Sequence, residues 1–351
     1  MRRVWIPGRG EPEILEMREE PDPLPGPGQV RVRVAFAGVN FADVMARLGL
    51  YPDAPDPPFV PGYEVAGRVD ATGEGVDPSW EGRRVAATTP FGGYADVVCL
   101  KPDLVFPIPD GVSDDAAAAL PVNYLTAWMM LHGMGVVREG DTVLVHGAAG
   151  GVGIAAVQLA RAAGARVIGT ASPGKHDRLR EMGVEPVDGR AADWPGRVRA
   201  LTRERGVDIA LDPIGGASFR HSYRLLAPGG RLYCFGVSSM APGEKRRPLA
   251  ALASLLRMPR FHPVSLMNDN RSVAGVNLGR LWNETRLLRP ALETLLEMAA
   301  AGTVRPQVDG AWPLERAAGA HRRLQSRQSV GKILLDARPG ADRDAGGAGT
   351  P

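Results

Sequence analysis

The chain has 351 residues, 44% of them hydrophobic, and a formal net charge of +3. That length buries a full core and suits two domains of ordinary size. The lysines are Lys101, Lys175, Lys245 and Lys332, so nearly all positive charge sits on arginines that alternate with acids, the pattern of a solvated surface and not of a nucleic-acid patch. Cys99 and Cys234 lie far apart, which excludes a disulfide framework and a cysteine zinc site and points to a reducing compartment. No stretch has the roughly 20 apolar residues of a membrane span, and the first residues lack a signal-peptide core. A cytoplasmic protein with no membrane span and no nucleic-acid partner is expected.

From Gln29 to about Pro109 the sequence predicts short strands separated by Gly and Pro. QVRVRVAF sets Val30, Val32, Val34 and Phe36 against Arg31 and Arg33, the period of a half-buried strand. EVAGRVDA, RRVAATT, YADVVCL and VFPIP follow in the same style. Near Val122 the texture changes. TVLVHG, ARVIGTA, VDIALDP and GRLYCFG are strand-like, with the amphipathic stretches IAAVQLARAAG and FRHSYRLLAPGG between them, which predicts a parallel sheet covered on both faces. SVAGVNL, a long helix over about Asn283 to Ala301 and the strand KILLD complete the chain, and ARPGADRDAGGAGTP is expected to be disordered.

TVLVHG runs directly into Ala148-Ala149-Gly150-Gly151-Val152-Gly153 and then a helix. Small residues let the backbone approach a pyrophosphate, and the helix N-terminus offers free N–H groups, so this strand-loop-helix context predicts a dinucleotide site. NAD-binding units usually end the second strand in an acid that takes the ribose hydroxyls. Here that strand ends in Ala171-Ser172-Pro173-Gly174-Lys175-His176, a hydroxyl and cations suited to a 2′-phosphate, which favours NADPH.

GVNFADVMARLGLYP, PFVPGYEVAG, NYLTAW and VLVHGAAGGVGIAAVQLAR resemble, in order and spacing, the zinc-free quinone oxidoreductase branch of the medium-chain dehydrogenase/reductase superfamily. GTASPGKHDRLREMGV, VDIALDPIGG and LMNDNRSVAGVNLGRLW are most similar to its vesicle amine transport protein-like group. The resemblance implies an α/β architecture: a GroES-like β-rich catalytic domain over 1–121 and 265–336, a doubly wound Rossmann NADPH-binding domain over 122–264, a cofactor cleft between them, a disordered tail over 337–351 and a homodimer. Zinc enzymes of the superfamily carry a cysteine at the place of Asn40 and a histidine at that of Tyr63. Of that site only Glu64 remains, which implies no metal and a structural carboxylate paired with a cation or backbone N–H groups.

Without zinc the expected reaction is hydride transfer from NADPH to a small hydrophobic conjugated carbonyl, a quinone or enone. By resemblance Asn40 lies near the nicotinamide and substrate carbonyl, Thr126 faces the ring, and Tyr51 matches a tyrosine proton donor of enoyl reductases or else packs on the cofactor. Tyr63 lines the pocket, and Asp43 fixes local structure. Gly150, Gly151, Val152, Ser172, Lys175, Phe235, Ser238, Leu278 and Lys332 are carried over as cofactor contacts. Where many relatives place Asn-Tyr after the third strand, this chain has Asp188-Gly189, with Arg190 beside them to pair with phosphate or stack. Enoyl-thioester reduction, and an NADPH sensor with little turnover, stand as alternatives.

Overall fold

The structure, a computed structural model, describes residues 1–245 and 247–340. Its strands are β1 (Arg2–Trp5), β2 (Glu16–Glu19), β3 (Val30–Val39), β4 (Glu64–Thr72), β5 (Arg84–Thr88), β6 (Val97–Leu100), β7 (Val105–Pro107), β8 (Thr142–His146), β9 (Arg166–Ala171), β10 (Glu185–Asp188), β11 (Val207–Asp212), β12 (Leu226–Cys234), β13 (Ser272–Gly275), β14 (Val308–Pro313) and β15 (Lys332–Asp336). They divide between two compact units. The first comprises Met1–Leu125, a short segment beginning at Gly243, and the chain from Gly279 onward; the second comprises Thr126–Pro242 and the chain up to Leu278.

In the first unit the main sheet runs β14-β15-β3-β4-β5-β7, with β6 also paired to β3. Val30, Val32 and Val34 alternate inward as expected, but from Phe36 to Val39 both faces of β3 are buried. The expected place of Phe36 beside Val34 is corrected: the pairing with β4 slips between Val34 and Phe36, so Ala37 and Val39 continue the core of Val30, Val32 and Val34, while Phe36 packs with Ala66, Ala86, Ala117, Ala118 and Leu334 in a second layer that includes the small helix Asp114–Ala119. The closing KILLD strand does return to this unit, antiparallel to β3.

The second unit is an all-parallel sheet in the order β10-β9-β8-β11-β12-β13. The order reverses between β8 and β11, the switch point outside which open α/β sheets bind ligands. One expected boundary is corrected. Ser272–Gly275 pairs in parallel with β12, and the chain from 265 to Leu278 belongs to this second unit and not to the first. A second correction concerns the tail: Ala337 is buried and bonds Ala35 through its N–H at 2.9 Å, and Arg338 pairs with Asp336, while 341–351 lie outside the described residues.

Candidate functional site

Asn40 follows β3 and caps the helix Phe41–Arg47, where Asp43 accepts the Asn40 N–H at 2.8 Å in the manner of a capping box. The other Asp43 oxygen takes the Gly62 N–H at 3.0 Å, and the Tyr94 hydroxyl donates to Oδ2 at 3.1 Å. Burial pushes Asp43 up to about 7, against the pull of the Asn40 N–H, the Lys332 charge and the Gly62 N–H.

Because β4 and β15 flank β3 on opposite sides, the first residue of each, Glu64 and Lys332, arrives beside Asn40. Lys332 Nζ donates to Glu64 Oε1 and to Asn40 Oδ1, the latter at 2.6 Å. Asn40 Nδ2 donates to Glu64 Oε1 at 3.0 Å, and the Val122 N–H, in the first turn of the helix Pro121–Trp128, donates to Oε2 at 2.6 Å. All three side chains are buried. Gly38 leaves the room this needs: a Cβ there would lie 2.3 Å from Glu64 Oε1. Glu64 therefore has both kinds of partner expected of a structural carboxylate, a lysine and a backbone N–H.

Tyr51 and Tyr63 meet edge-on with ring centroids 6.3 Å apart, and Tyr63 lies 5.0 Å from Phe91. Tyr51 packs partly buried against the small core of Ile6, Ala46 and Phe59. Among the described residues the Tyr63 hydroxyl is buried with no partner at hydrogen-bonding geometry, and burial, then the charge of Asp43 and the nearby Tyr51, raises its pKa.

In the second unit the remaining carried-over residues fall at one edge. Gly150, Gly151 and Val152 follow β8, Ser172 and Lys175 follow β9, Arg190 follows β10, Phe235 and Ser238 follow β12, and Leu278 follows β13. In a parallel sheet these are all carboxyl ends. Gly150 caps the helix Gly151–Ala162, and Gly153 lets that helix sit on the loop, since a Cβ there would lie 2.2 Å from the Gly147 carbonyl oxygen. His176 is spoken for, its Nε2 lying 3.2 Å from the Ala171 carbonyl. Asp188 accepts the Arg190 N–H at 3.0 Å, and Arg190 is exposed. Thr126 is buried in the helix Pro121–Trp128.

Residues 26–110 match the family model described as alcohol dehydrogenase GroES-like domain, and 183–335 match the one described as zinc-binding dehydrogenase. The synaptic vesicle membrane protein VAT-1 homolog of Homo sapiens is 39% identical over 98% of this chain and 88% of its own length. Its Danio rerio counterpart is 42% identical over 88% of this chain, which spans only 64% of that protein. The chain belongs to the medium-chain dehydrogenase/reductase superfamily. Among solved structures, Escherichia coli quinone oxidoreductase complexed with NADPH superposes with a TM-score of 0.84 at 28% identity, covering 96% of this chain and all (100%) of that one. The CurK enoyl reductase matches with a TM-score of 0.81 at 26% identity over 95% and 98%.

Glu64 is committed to Lys332, Asn40 and Val122, and no three His, Cys, Asp or Glu side chains converge to hold a metal among the described residues. Sequence reasoning missed two buried groups. Arg47 is fully buried and donates from Nε to His321 Nδ1 at 3.3 Å, while His321 Nε2 lies 3.0 Å from the Tyr94 hydroxyl. His321 is buried within the helix Ala317–Gln325, and His146, which ends β8, is buried as well. The available signal was His321 in the amphipathic run AAGAHRRLQ, where it falls on the apolar face with Ala317 and Ala320.

Proposed function

We propose that this protein is an NADPH-dependent reductase that works without zinc on a small hydrophobic conjugated carbonyl, a quinone or an α,β-unsaturated ketone. Bound NADPH would supply the hydride; the chain supplies placement and a hydrogen bond or proton for the oxygen that gains charge. The observation that carries the zinc-free reading is the neutralisation of Glu64 by Lys332. Lys332 holds the Asn40 oxygen and Glu64 holds one Asn40 N–H, which sets the amide and leaves its second N–H for a carbonyl or the nicotinamide amide. Lys332 thus serves the cofactor site through Asn40.

The loop at Gly150, Gly151 and Val152 would carry the pyrophosphate, Ser172 and Lys175 the 2′-phosphate, with Arg190 beside them. Phe235, Ser238, Leu278 and Thr126 would complete the contacts. Titration with NADPH and NADH, then NADPH oxidation against a panel of quinones and enones with a chelator present, tests this reading. Turnover that survives chelation is expected. Failure of every acceptor, or activity lost on chelation and restored by zinc, overturns it.

Enoyl-thioester reduction is the second reading, favoured by Tyr51 edge-on to Tyr63. Under it Tyr51→Phe slows reduction of a crotonyl thioester while NADPH affinity holds. We further infer a homodimer, because six exposed large hydrophobic side chains, Leu249, Leu252, Leu255, Leu256, Val264 and Met267, gather on the helices Pro248–Leu256 and Pro263–Asp269. A cytoplasmic location accords with Cys99 and Cys234 both being free thiols.

A further inference from the structure

In the second unit a chain of buried hydrogen bonds has a direction that can be read atom by atom. It starts at Asp212, the last residue of β11, whose buried carboxylate only accepts. Oδ1 takes the Ile214 N–H at 2.8 Å, and Oδ2 takes the hydroxyls of Ser218 at 2.6 Å and Ser222 at 2.7 Å. With its proton committed to Asp212, Ser222 Oγ must accept from His146 Nε2, 2.9 Å away.

A neutral imidazole carries one proton, so His146 Nδ1 accepts, and its partner at 3.1 Å is the Thr170 hydroxyl. Thr170 Oγ1, its proton turned toward His146, offers a lone pair to the Gly147 N–H at 3.3 Å, while the Thr170 carbonyl takes the Ala148 N–H at 3.0 Å. Burial lowers the His146 pKa and Asp212 opposes that, so the buried ring favours its neutral form. Trp194 closes another side of the imidazole edge-on at 4.9 Å, and His221 lies beyond Trp194 at 6.0 Å. Gly189 crowds Thr170 so closely that a Cβ there would lie 3.0 Å from Thr170 Cβ. The departure Asp188-Gly189 therefore places a bare glycine where Thr170 needs the space.

We propose that His146 is a positioning residue of the dinucleotide site: it passes the polarity set by Asp212 to Thr170 and so holds the Gly147–Ala148 turn from which Gly151–Ala162 presents its N-terminus. The proposal rests on the reading of that loop as the NADPH site. It knits the carboxyl ends of β8, β9 and β11 at the point where the strand order reverses.

Nitrogen NMR of the histidines in the intact protein reads the tautomer directly. His146 is expected in the Nε2–H form at neutral pH, and Ser222→Ala is expected to bring in the Nδ1–H form. Thr170→Val, which keeps the shape and removes the hydroxyl, should speed hydrogen exchange at Gly147 and weaken NADPH roughly fivefold, the worth of one hydrogen bond, with Thr170→Ser restoring both. An Nδ1–H or doubly protonated His146 in the wild type overturns the proposal, as does a Thr170→Val protein with unchanged Gly147 exchange and NADPH affinity. A wild-type protein without affinity for NADPH removes the role along with the cofactor reading, and the tautomer and exchange data tell that failure apart from failure of the chain.

Discussion

Lys332 Nζ lies 2.6 Å from Asn40 Oδ1, although 292 residues separate them in sequence. The same ammonium is the counter-ion of Glu64, and neither side chain reaches solvent, at 2% and 0% exposure. Removing one partner of such a pair leaves an uncompensated buried charge. Lys332→Met is therefore expected to cost about 3–5 kcal/mol, and adding Glu64→Gln should recover part of the loss. Urea unfolding of both single variants and the double variant measures the coupling; additive effects would show that the pair is not a unit.

Asp43 gives a pH signature with a definite sign. Its folded pKa is raised from 3.8 to about 7, so the native state binds its proton more tightly than the unfolded chain. The Asp43 contribution is thus greatest below the unfolded pKa and is lost as pH rises through the folded one, by ~4 kcal/mol in all. Asp43→Asn should be destabilising, and the gap from wild type should narrow between acidic and neutral pH. A gap that widens over that range would reverse the sign.

Arg47 serves three neutral acceptors at once: the Gly10 carbonyl at 2.5 Å, Gln325 Oε1 at 2.6 Å and His321 Nδ1 at 3.3 Å. No carboxylate pairs with it among the described residues, and burial pulls it down to about 10. A lysine cannot span that fork. Arg47→Lys should cost about 2–3 kcal/mol through orphaned acceptors, read as a fall in denaturation midpoint with unchanged slope.

Gly153→Ala tests the loop by sterics alone. The new methyl would lie 2.2 Å from the Gly147 carbonyl and 2.7 Å from Ala148 Cα, both backbone atoms that cannot rotate away. The helix must back off the loop, so NADPH affinity should fall at least tenfold while the first unit's aromatic signals stay unchanged.

Leu252 and Leu255 are about half exposed on the helix Pro248–Leu256, at 51% and 54%. If a second copy covers that face, Leu252→Asp with Leu255→Asp should turn a dimer into a monomer of unaltered thermal midpoint by sedimentation. A wild-type monomer would leave the apolar face without that partner.

The strand periods and the glycine loop were legible because each is local: Val30, Val32 and Val34 declare an inward face, and TVLVHG followed by small residues declares a turn into a helix. Glu64 was legible as structural by comparison of ligand positions. Its partner was not, since Lys332 meets it only through the pairing of β15 with β3. The Arg47–His321–Tyr94 cluster was hidden for the same reason, its members being drawn from three elements far apart in sequence. β13 was assigned to the wrong unit because four residues of SVAG carry no mark of which sheet they will join.

Strand β15 lies between β3 and β14, not at an edge, and it is the last strand among the described residues. A ribosome delivers it after every other strand described. The parallel sheet is complete once Gly275 has emerged, so the nucleotide unit can mature during synthesis. The first unit must wait with a gap beside β3 and Glu64 buried without its cation. Newly made chains should therefore pass through a stage in which half the molecule is finished and the other half is a substrate for chaperones.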